Sequence, residues 1–539
     1  MGEASKILPR PVRLRAMRSI PSRAWLLAVT SGVLQILIFP TPFLYYLSWI
    51  ALVPLLIALV AESNSLPRCF LLAYVSGTIW YAGSCYWVYH VMHSYGGLSP
   101  IVAFGVLILF CLYLGLYHGL FGLLVGLLAR SPHLKRNQLF VLLPILWVAI
   151  ELARARITGF PWDLLGYTQI DNIPLTRIAT VTGVYGISFV VALINSVFAF
   201  AILNYRTQGK RLLFLAFAAA ASLQMGVLMK PAAELPARSA LLLQENLPVD
   251  SYEWSAQYYD QTIATLVQLS SSPGGLSGHA SSEAPLIVWP ESPAPFYSVD
   301  PKFHHWMMAL AETTHSYLIV GSLGVNPART TEQHAEVFNS AVLVAPDGEM
   351  AARYDKIHLV PFGEFIPYKS LLAFAETLTR GVSDFARGSE RTVFPLGGHK
   401  AGTFICYESI FPDEIRQFSQ HGAELLVNIS NDGWFGNSGA PGQHFNMARM
   451  RAIENGRWLL RSTNTGITAS VDPYGRVVKR APRNVRTAFI APYDFKQGTT
   501  FYTRYGDWFA FICAIISLMA LLESANKARV NRKSLANHR

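Results

Sequence analysis

Three features of the sequence predict a membrane bundle of about eight helices joined to a water-facing α/β domain. Apolar runs crowd the first 230 positions, Lys and Arg gather in alternate connections between them, and positions 237–497 carry mixed, strand-and-helix patterning with no comparable run. Only 14% of the 539 residues are charged and 52% are apolar, against roughly 25% charged in an ordinary soluble domain.

A helix crosses the hydrocarbon core with about 20 mostly apolar residues. Seven segments within 25–230 fit: Trp25–Phe39, Phe43–Ala61, Cys69–His90, Ile101–Ala129, Leu139–Leu152, Ile178–Leu203 and Leu212–Met229. The fifth is short and contains Pro144. An eighth, Trp508–Leu522, lies near the C-terminus. Arg10, Arg13, Arg15, Arg18 and Arg23 precede the first segment, and Lys527, Arg529, Arg532 and Lys533 follow the last. Arg68, then Arg130, Lys135 and Arg136, then Arg206, Lys210 and Arg211 occupy the second, fourth and sixth connections. With eight spans, this pattern puts residues 1–24 and 523–539 in the cytoplasm and 237–497 on the opposite side. Arg154 and Arg156, in the fifth connection, are the exception. The net charge of +11 is therefore read as topology, with no nucleic-acid partner. Another span follows the first at once, without a cleavage site, so the first is read as retained and not as a signal peptide.

Of the five cysteines, Cys69, Cys85, Cys111 and Cys513 fall in these spans, where Cys acts as a small apolar residue. Cys406 stands alone in the 237–497 domain, which excludes an internal disulfide. A lone thiol on the oxidising side of a membrane is a liability unless it is buried and inert or used.

Within the domain, Leu286–Val288 reads as a buried strand running into Trp289-Pro290-Glu291. The amphipathic stretch Phe303–His315 precedes a second strand at Leu318–Val320. Ala341–Val344 and Met350–Tyr354 flank Pro346-Asp347-Gly348 as a hairpin, with Lys356 at its far end. Thr403–Ile405 ends at Cys406 and leads to a helical stretch, Asp413–Gln420. Leu425–Ile429 ends in Asn431-Asp432-Gly433, and a second hairpin turns at Pro473-Tyr474-Gly475. Hairpins mixed with strand–helix alternation predict an α/β sheet of mixed direction.

Glu291, Lys356 and Cys406 each emerge just beyond a strand end, where α/β folds aim side chains into a shared crevice. Their chemistry is complementary. The thiolate is the attacking form of Cys, a carboxylate takes its proton, and an ammonium favours the thiolate and stabilises an oxyanion. Taken singly, a Glu after a strand is usually a solvated end, and a Lys beyond a hairpin usually a surface charge.

The flanking residues decide between these readings. Val288-Trp289-Pro290-Glu291-Ser292, Arg353-Tyr354-Asp355-Lys356 and Phe404-Ile405-Cys406-Tyr407-Glu408 resemble, in this order, the Glu–Lys–Cys signature of the nitrilase superfamily. The segments His358-Leu359-Val360-Pro361-Phe362-Gly363-Glu364 and Asn428-Ile429-Ser430-Asn431-Asp432-Gly433-Trp434-Phe435-Gly436 narrow it. With the long membrane region and Gly159-Phe160-Pro161-Trp162, they resemble the apolipoprotein N-acyltransferases, bacterial enzymes that add the third acyl chain to lipoproteins.

The resemblance implies a four-layer αββα sandwich on eight membrane helices in the bacterial inner membrane, facing the periplasm. It implies Cys406 as nucleophile, Glu291 as general base and Lys356 as oxyanion stabiliser, with Glu364, Tyr407 and Glu408 in support. Trp254, Asn339 and Trp434 are expected to shape the acyl and lipid entrance. The implied reaction moves an acyl chain from a phospholipid through a Cys406 thioester to the α-amine of a diacylglyceryl-modified lipoprotein, by a monomer with no cofactor. The domain's His residues, including His334, His358 and His444, lack metal-ligand spacing and read as structural or solvated. Glu245 stands where the family more often has Gly, which is expected to alter a local turn.

Some readings stay open. Phe365–Phe385, with Ile366, Leu371, Leu372, Phe374 and Leu378, is either an ordinary core helix or a mobile lid over Cys406. Glu151 and Asp163 are either substrate contacts or partners of Arg154 or Arg156. Tyr86, Trp87, Tyr89, Trp162 and Tyr167 fit an interfacial aromatic belt. A membrane-tethered amidase would share the same three residues, with water in place of the amine. A transporter would need midplane charges and broken-helix pairs, and most of the spans lack them. A dead scaffold would be expected to lose one of the three residues.

Overall fold

The computed structural model describes residues 21–39, 44–232, 236–247, 256–271, 284–291, 294–326, 336–366 and 384–537. Apolar helices occupy Pro21–Leu37, Val53–Ala61, Leu66–Ser84, Pro100–Ala129, Arg136–Ala153, Val184–Leu203, Lys210–Gln224 and Trp508–Asn537. Five helices among the described residues are long and apolar enough to cross a membrane: Pro100–Ala129, Arg136–Thr158, Val184–Leu203, Tyr205–Leu228 and Trp508–Lys527. The chain is a membrane protein.

Pro144 does not end the helix it sits in, which continues to Ala153 and then widens into a π turn, Arg154–Thr158. The expected run Ile178–Leu203 is broken at Gly183, between Ala179–Thr182 and Val184–Leu203. Gly183 has φ 66°, and a Cβ there would lie 2.5 Å from the Tyr502 ring. Only glycine fits both the backbone and the space. Helices Leu66–Ser84 and Pro100–Ala129 approach closely for a related reason. A Cβ on Gly122 would sit 2.3 Å from the Cys69 carbonyl oxygen, and one on Gly119 would meet the Phe70 ring. Small residues let helix backbones touch where the solvent is itself apolar and burial alone gives little.

Among the described residues, the domain has twelve strands: β1 Arg238–Gln244, β2 Leu286–Val288, β3 Tyr317–Val325, β4 Val337–Val344, β5 Met350–Asp355, β6 Val393–Leu396, β7 His399–Ile405, β8 Leu425–Ser430, β9 Trp458–Thr463, β10 Ala469–Val471, β11 Val477–Arg480 and β12 Thr487–Tyr493. They form two six-stranded sheets, ordered β12-β1-β2-β3-β4-β5 and β11-β10-β9-β8-β7-β6. Each has three adjacent parallel strands, β1-β2-β3 and β7-β8-β9, flanked by antiparallel ones. Leu242, Val288, Ile319 and Leu343 of the first sheet meet Phe404, Leu426 and Leu460 of the second in one core. Helices Ala256–Ser270 and Pro301–Thr314 accompany the outer face of the first sheet, where Ile263, Leu266, Phe303 and Met307 cover Leu241, Leu243 and Ile287. On the second, Phe418 of Pro412–Gln420 and Phe445, Ala448 and Ala452 of Ala440–Asn455 pack into the core. This is the four-layer αββα arrangement, so the expected mixed α/β sheet is two sheets back to back.

The domain is docked on the bundle. Tyr407, Ile410, Met447, Met450 and Ile453 belong to the same apolar cluster as the membrane helices. Glu454 accepts from Val184 N–H, 3.0 Å, at the start of one span, and from Arg451, also 3.0 Å. Arg451 in turn bonds the Tyr167 hydroxyl at 3.2 Å. The side chain of Trp162 donates to Gln443 at 2.8 Å.

Glu245, just past β1, is fully buried, and neither carboxylate oxygen has a partner among the described residues. Burial pushes its carboxyl up to about 8, with the Arg486 guanidinium opposing. The folded value exceeds the usual 4.5, so this group weakens the fold progressively as pH rises from about 4.5 to about 8, and the loss is then constant. Glu245→Gln is expected to stabilise the fold relative to the native chain by a margin that grows between pH 5 and pH 8, reaching roughly a few kcal/mol, and to raise the melting temperature accordingly. Thermal melting in detergent at the two pH values checks this. A margin independent of pH would show that Glu245 ionises as freely as in water.

Candidate active site

The second parallel strand, β2, runs through Trp289, whose N–H donates to Ile319 O at 2.9 Å, to Glu291. The β4–β5 hairpin delivers Lys356, anchored by its own N–H on Asn339 O at 2.9 Å. Strand β7 ends at Ile405, and Cys406 opens a 3-10 turn, Cys406–Ile410, with φ 50°. A left-handed backbone at a non-glycine residue costs roughly 1–3 kcal/mol and persists where its surroundings over-determine it.

Lys356 is 1% exposed. Its Nζ donates to Glu364 Oε1 at 2.8 Å and to Glu291 Oε1 at 3.3 Å. The Asn339 amide nitrogen donates to the same two oxygens, at 2.8 Å to Glu291 and 2.7 Å to Glu364. The outer oxygens take backbone N–H groups: Asn431 on Glu291 and Val360 on Glu364, both 2.8 Å. The ammonium between the two carboxylates offsets their mutual repulsion. Burial pulls the Lys356 ammonium down, but Glu291, Glu364 and Cys406 outweigh it and hold its pKa above the usual lysine value.

Cys406 is buried. Burial is the main reason its thiol is pushed above the usual value, Glu291 adds to the rise, and Lys356 opposes it. The resting sulfur is therefore a neutral thiol. An attack by it needs a base, and of the acidic groups acting on the thiol Glu291 acts most strongly.

Glu408 is buried and ties two segments together. Its Oε1 accepts from Tyr354 Oη at 2.7 Å, Ile357 N–H at 2.7 Å and His358 N–H at 3.1 Å, and its Oε2 from Ile405 N–H at 2.7 Å. The strand end before Cys406 and the chain after Lys356 are thus fastened to one carboxylate. Tyr407 points the other way, its hydroxyl 3.5 Å from Gly159 O in the bundle. Trp434 is 41% exposed, edge-on to Tyr95 of the bundle at 5.2 Å. Trp254 lies outside the described residues, as does 367–383, the greater part of the segment read as core helix or lid.

Glu291, Lys356, Glu364, Asn339, Cys406, Tyr407 and Glu408 all gather at one end of the two sheets. The sequence reading missed the polar contacts that stand behind Cys406. His444 Nδ1 lies 2.9 Å from Asp432 Oδ1, and Arg461 Nη2 donates to both Asp432 oxygens at 2.9–3.0 Å. His444 is fully buried, so the structural reading applies and the solvated one does not. Its partners come from β9 and the end of β8, which no local spacing links. Arg156 pairs with Asp413 at 2.9 Å and with Asp507, while Glu151 accepts from Trp147 Nε1 and Leu165 N–H. Among the described residues, no three His, Cys, Asp or Glu are grouped to hold a metal ion.

Residues 31–197 match the family model described as apolipoprotein N-acyltransferase N-terminal domain, and residues 240–501 match carbon-nitrogen hydrolase. The solved structure of an amidase from Nesterenkonia sp. is 17% identical, with a TM-score of 0.35, over 51% of this chain and 95% of that one. A relative named apolipoprotein N-acyltransferase from Geobacter metallireducens is 38% identical over 527 residues, 95% of this chain and 98% of the relative. Another of that name, from Methylococcus capsulatus, is 35% identical over 504 residues, 91% of this chain and 94% of the relative. At these identities over nearly the full length of both chains, the chain belongs to the apolipoprotein N-acyltransferase family.

Proposed function

We propose that this enzyme transfers a fatty acyl chain from a phospholipid, through a thioester on Cys406, to the α-amine of the N-terminal diacylglyceryl-cysteine of lipoproteins. The observation that carries the reading is the position of the thiol. Cys406 lies within the electrostatic reach of Glu291 and Lys356, and the turn it opens packs into the same apolar cluster as the membrane helices. Both substrates carry long chains that cost about 0.8 kcal/mol per CH₂ to draw into water, so the chemistry belongs at the bilayer surface.

In the first half, Glu291 takes the Cys406 proton as Sγ attacks the ester carbonyl. Lys356 stabilises the oxyanion, and the proton passes to the departing lysophospholipid oxygen. In the second half, the neutral amine attacks the thioester and gives its proton to Glu291, which returns it to the Cys406 thiolate. Glu364 and Asn339 hold Lys356 and Glu291 in place, and Glu408 holds the two loops. Asn339 Oδ1, buried and without a partner among the described residues, is available to a substrate donor. Trp434, and Trp254 with it, would line the entrance. No cofactor is needed, and one chain carries every group, so the working unit is a monomer.

The proposed topology has eight spans in the bacterial inner membrane, with 1–24 and 523–539 cytoplasmic and 237–497 periplasmic. Arg156, one of the two arginines against the charge pattern, supports it, because acids on the domain side, Asp413 and Asp507, neutralise it. The deciding experiment is intact-protein mass spectrometry after incubation with phospholipid and no acceptor. An added acyl mass removed by hydroxylamine is the expected result. Its absence in rapidly quenched samples, together with ammonia release from small amides, would favour the tethered amidase.

A further inference from the structure

Strand pairing stops one residue before the nucleophile, at Ile405↔Ile429. The Cys406 carbonyl, turned out of the ladder by φ 50°, meets an imidazole instead. His444 Nε2 lies 3.0 Å from Cys406 O and 2.7 Å from Ser409 Oγ, the other end of the same turn. The ring is clamped on every side. Its Nδ1 is 2.9 Å from Asp432 Oδ1 and 3.1 Å from Arg461 Nη2; with the ring proton on Nε2, Nδ1 accepts from the guanidinium and Nε2 donates to Cys406 O, and Asp432 is itself fixed by Arg461 and by Ser430 Oγ at 2.8 Å. Trp162 lies nearly parallel to the ring, 16° and 5.9 Å away, and Phe435 meets it edge-on at 5.8 Å. The neighbouring Gln443 accepts from Trp162 Nε1 and donates to Ser84 O at 3.1 Å, so the helix that carries His444 is fastened to the bundle.

We propose that His444 is a positioning residue that, through the Cys406 carbonyl, holds the nucleophile's unusual backbone and so aims Sγ at the acyl carbon. The inference rests on the acyl-transfer reading above. It also gives Trp162 of the Gly-Phe-Pro-Trp segment a role, since that ring is the bundle's contribution to the clamp. A displacement of about 1 Å at a reacting atom costs about 100-fold in rate, so the clamp matters to the chemical step and not to lipid binding.

The test uses two conservative variants of the full-length enzyme in lipid nanodiscs. His444→Gln places an amide N–H where Nε2 lies. His444→Asn reaches only the Nδ1 position. We expect His444→Asn to slow acyl-enzyme formation about 100-fold with KM for phospholipid unchanged, and His444→Gln to restore the rate to within about tenfold of the native value. Equal rates in the two variants, or equal losses that follow a drop in melting temperature, would overturn the proposal. Alkylation of Cys406 by iodoacetamide is a second readout that needs the oriented thiol and its base but no lipid. If the native enzyme forms no acyl-enzyme, the acyl-transfer reading fails, and the ratio of alkylation rates between Gln and Asn still decides the role of His444.

Discussion

Cys406→Ala is expected to abolish both the hydroxylamine-labile acyl mass and lipoprotein acylation, a loss on the order of 10⁴-fold or more. The side chain it removes is one sulfur atom in a packed site, so the fold should survive and the melting temperature should move little. The backbone argument agrees, because alanine meets the same steric terms as cysteine at φ 50°. Cys406→Ser is the sharper companion. It keeps the shape but offers a hydroxyl whose proton is far harder to remove, and the site already raises the pKa of the native thiol through burial and the Glu291 charge. Serine should therefore be nearly as inactive as alanine. Substantial turnover by either variant, measured with radiolabelled phospholipid and a purified acceptor, would eliminate the thioester route.

Lys356→Met is expected to produce the second largest effect, and on two quantities at once. Activity should fall by about 10²–10³-fold, the usual cost of losing one oxyanion-stabilising donor. Stability should fall by about 3–5 kcal/mol, because removal of one partner leaves an uncompensated buried charge. Here the charges left behind are Glu291 and Glu364, whose inner oxygens both receive the ammonium. A second substitution, Glu364→Gln, should then recover much of the stability of Lys356→Met and none of its activity. Chemical denaturation and single-turnover acylation separate the two readouts. Activity restored along with stability would mean that Lys356 acts only as a structural counter-ion.

The legible part of this protein was carried by local pattern. Apolar length located the longest of the helices, short apolar runs and turn residues located β2, β3, β7, β8 and both hairpins, and the residues flanking Glu291, Lys356 and Cys406 pointed to a shared site. Each of these signals lies within about twenty residues of chain. The break at Gly183 was missed because its cause is a ring 319 positions away, Tyr502, against which no larger residue fits. Glu245 looked like a change in a turn, and its burial, with neither carboxylate oxygen partnered among the described residues, became visible only in three dimensions.

Sequence alone determined that the chain is a membrane bundle joined to an α/β domain, and that one thiol, one carboxylate and one ammonium stand at strand ends, because periodicity, apolar length and turn chemistry are properties of neighbouring residues. Tertiary structure alone decided that a single ammonium lies between two carboxylates, that Asn339 bonds both, and that His444 and Trp162 stand behind the nucleophile. Those relations join residues from different sheets and from the bundle. They exist only because burying the apolar faces brings distant polar groups within 3 Å or so of one another, where each must find a partner or remain unsatisfied.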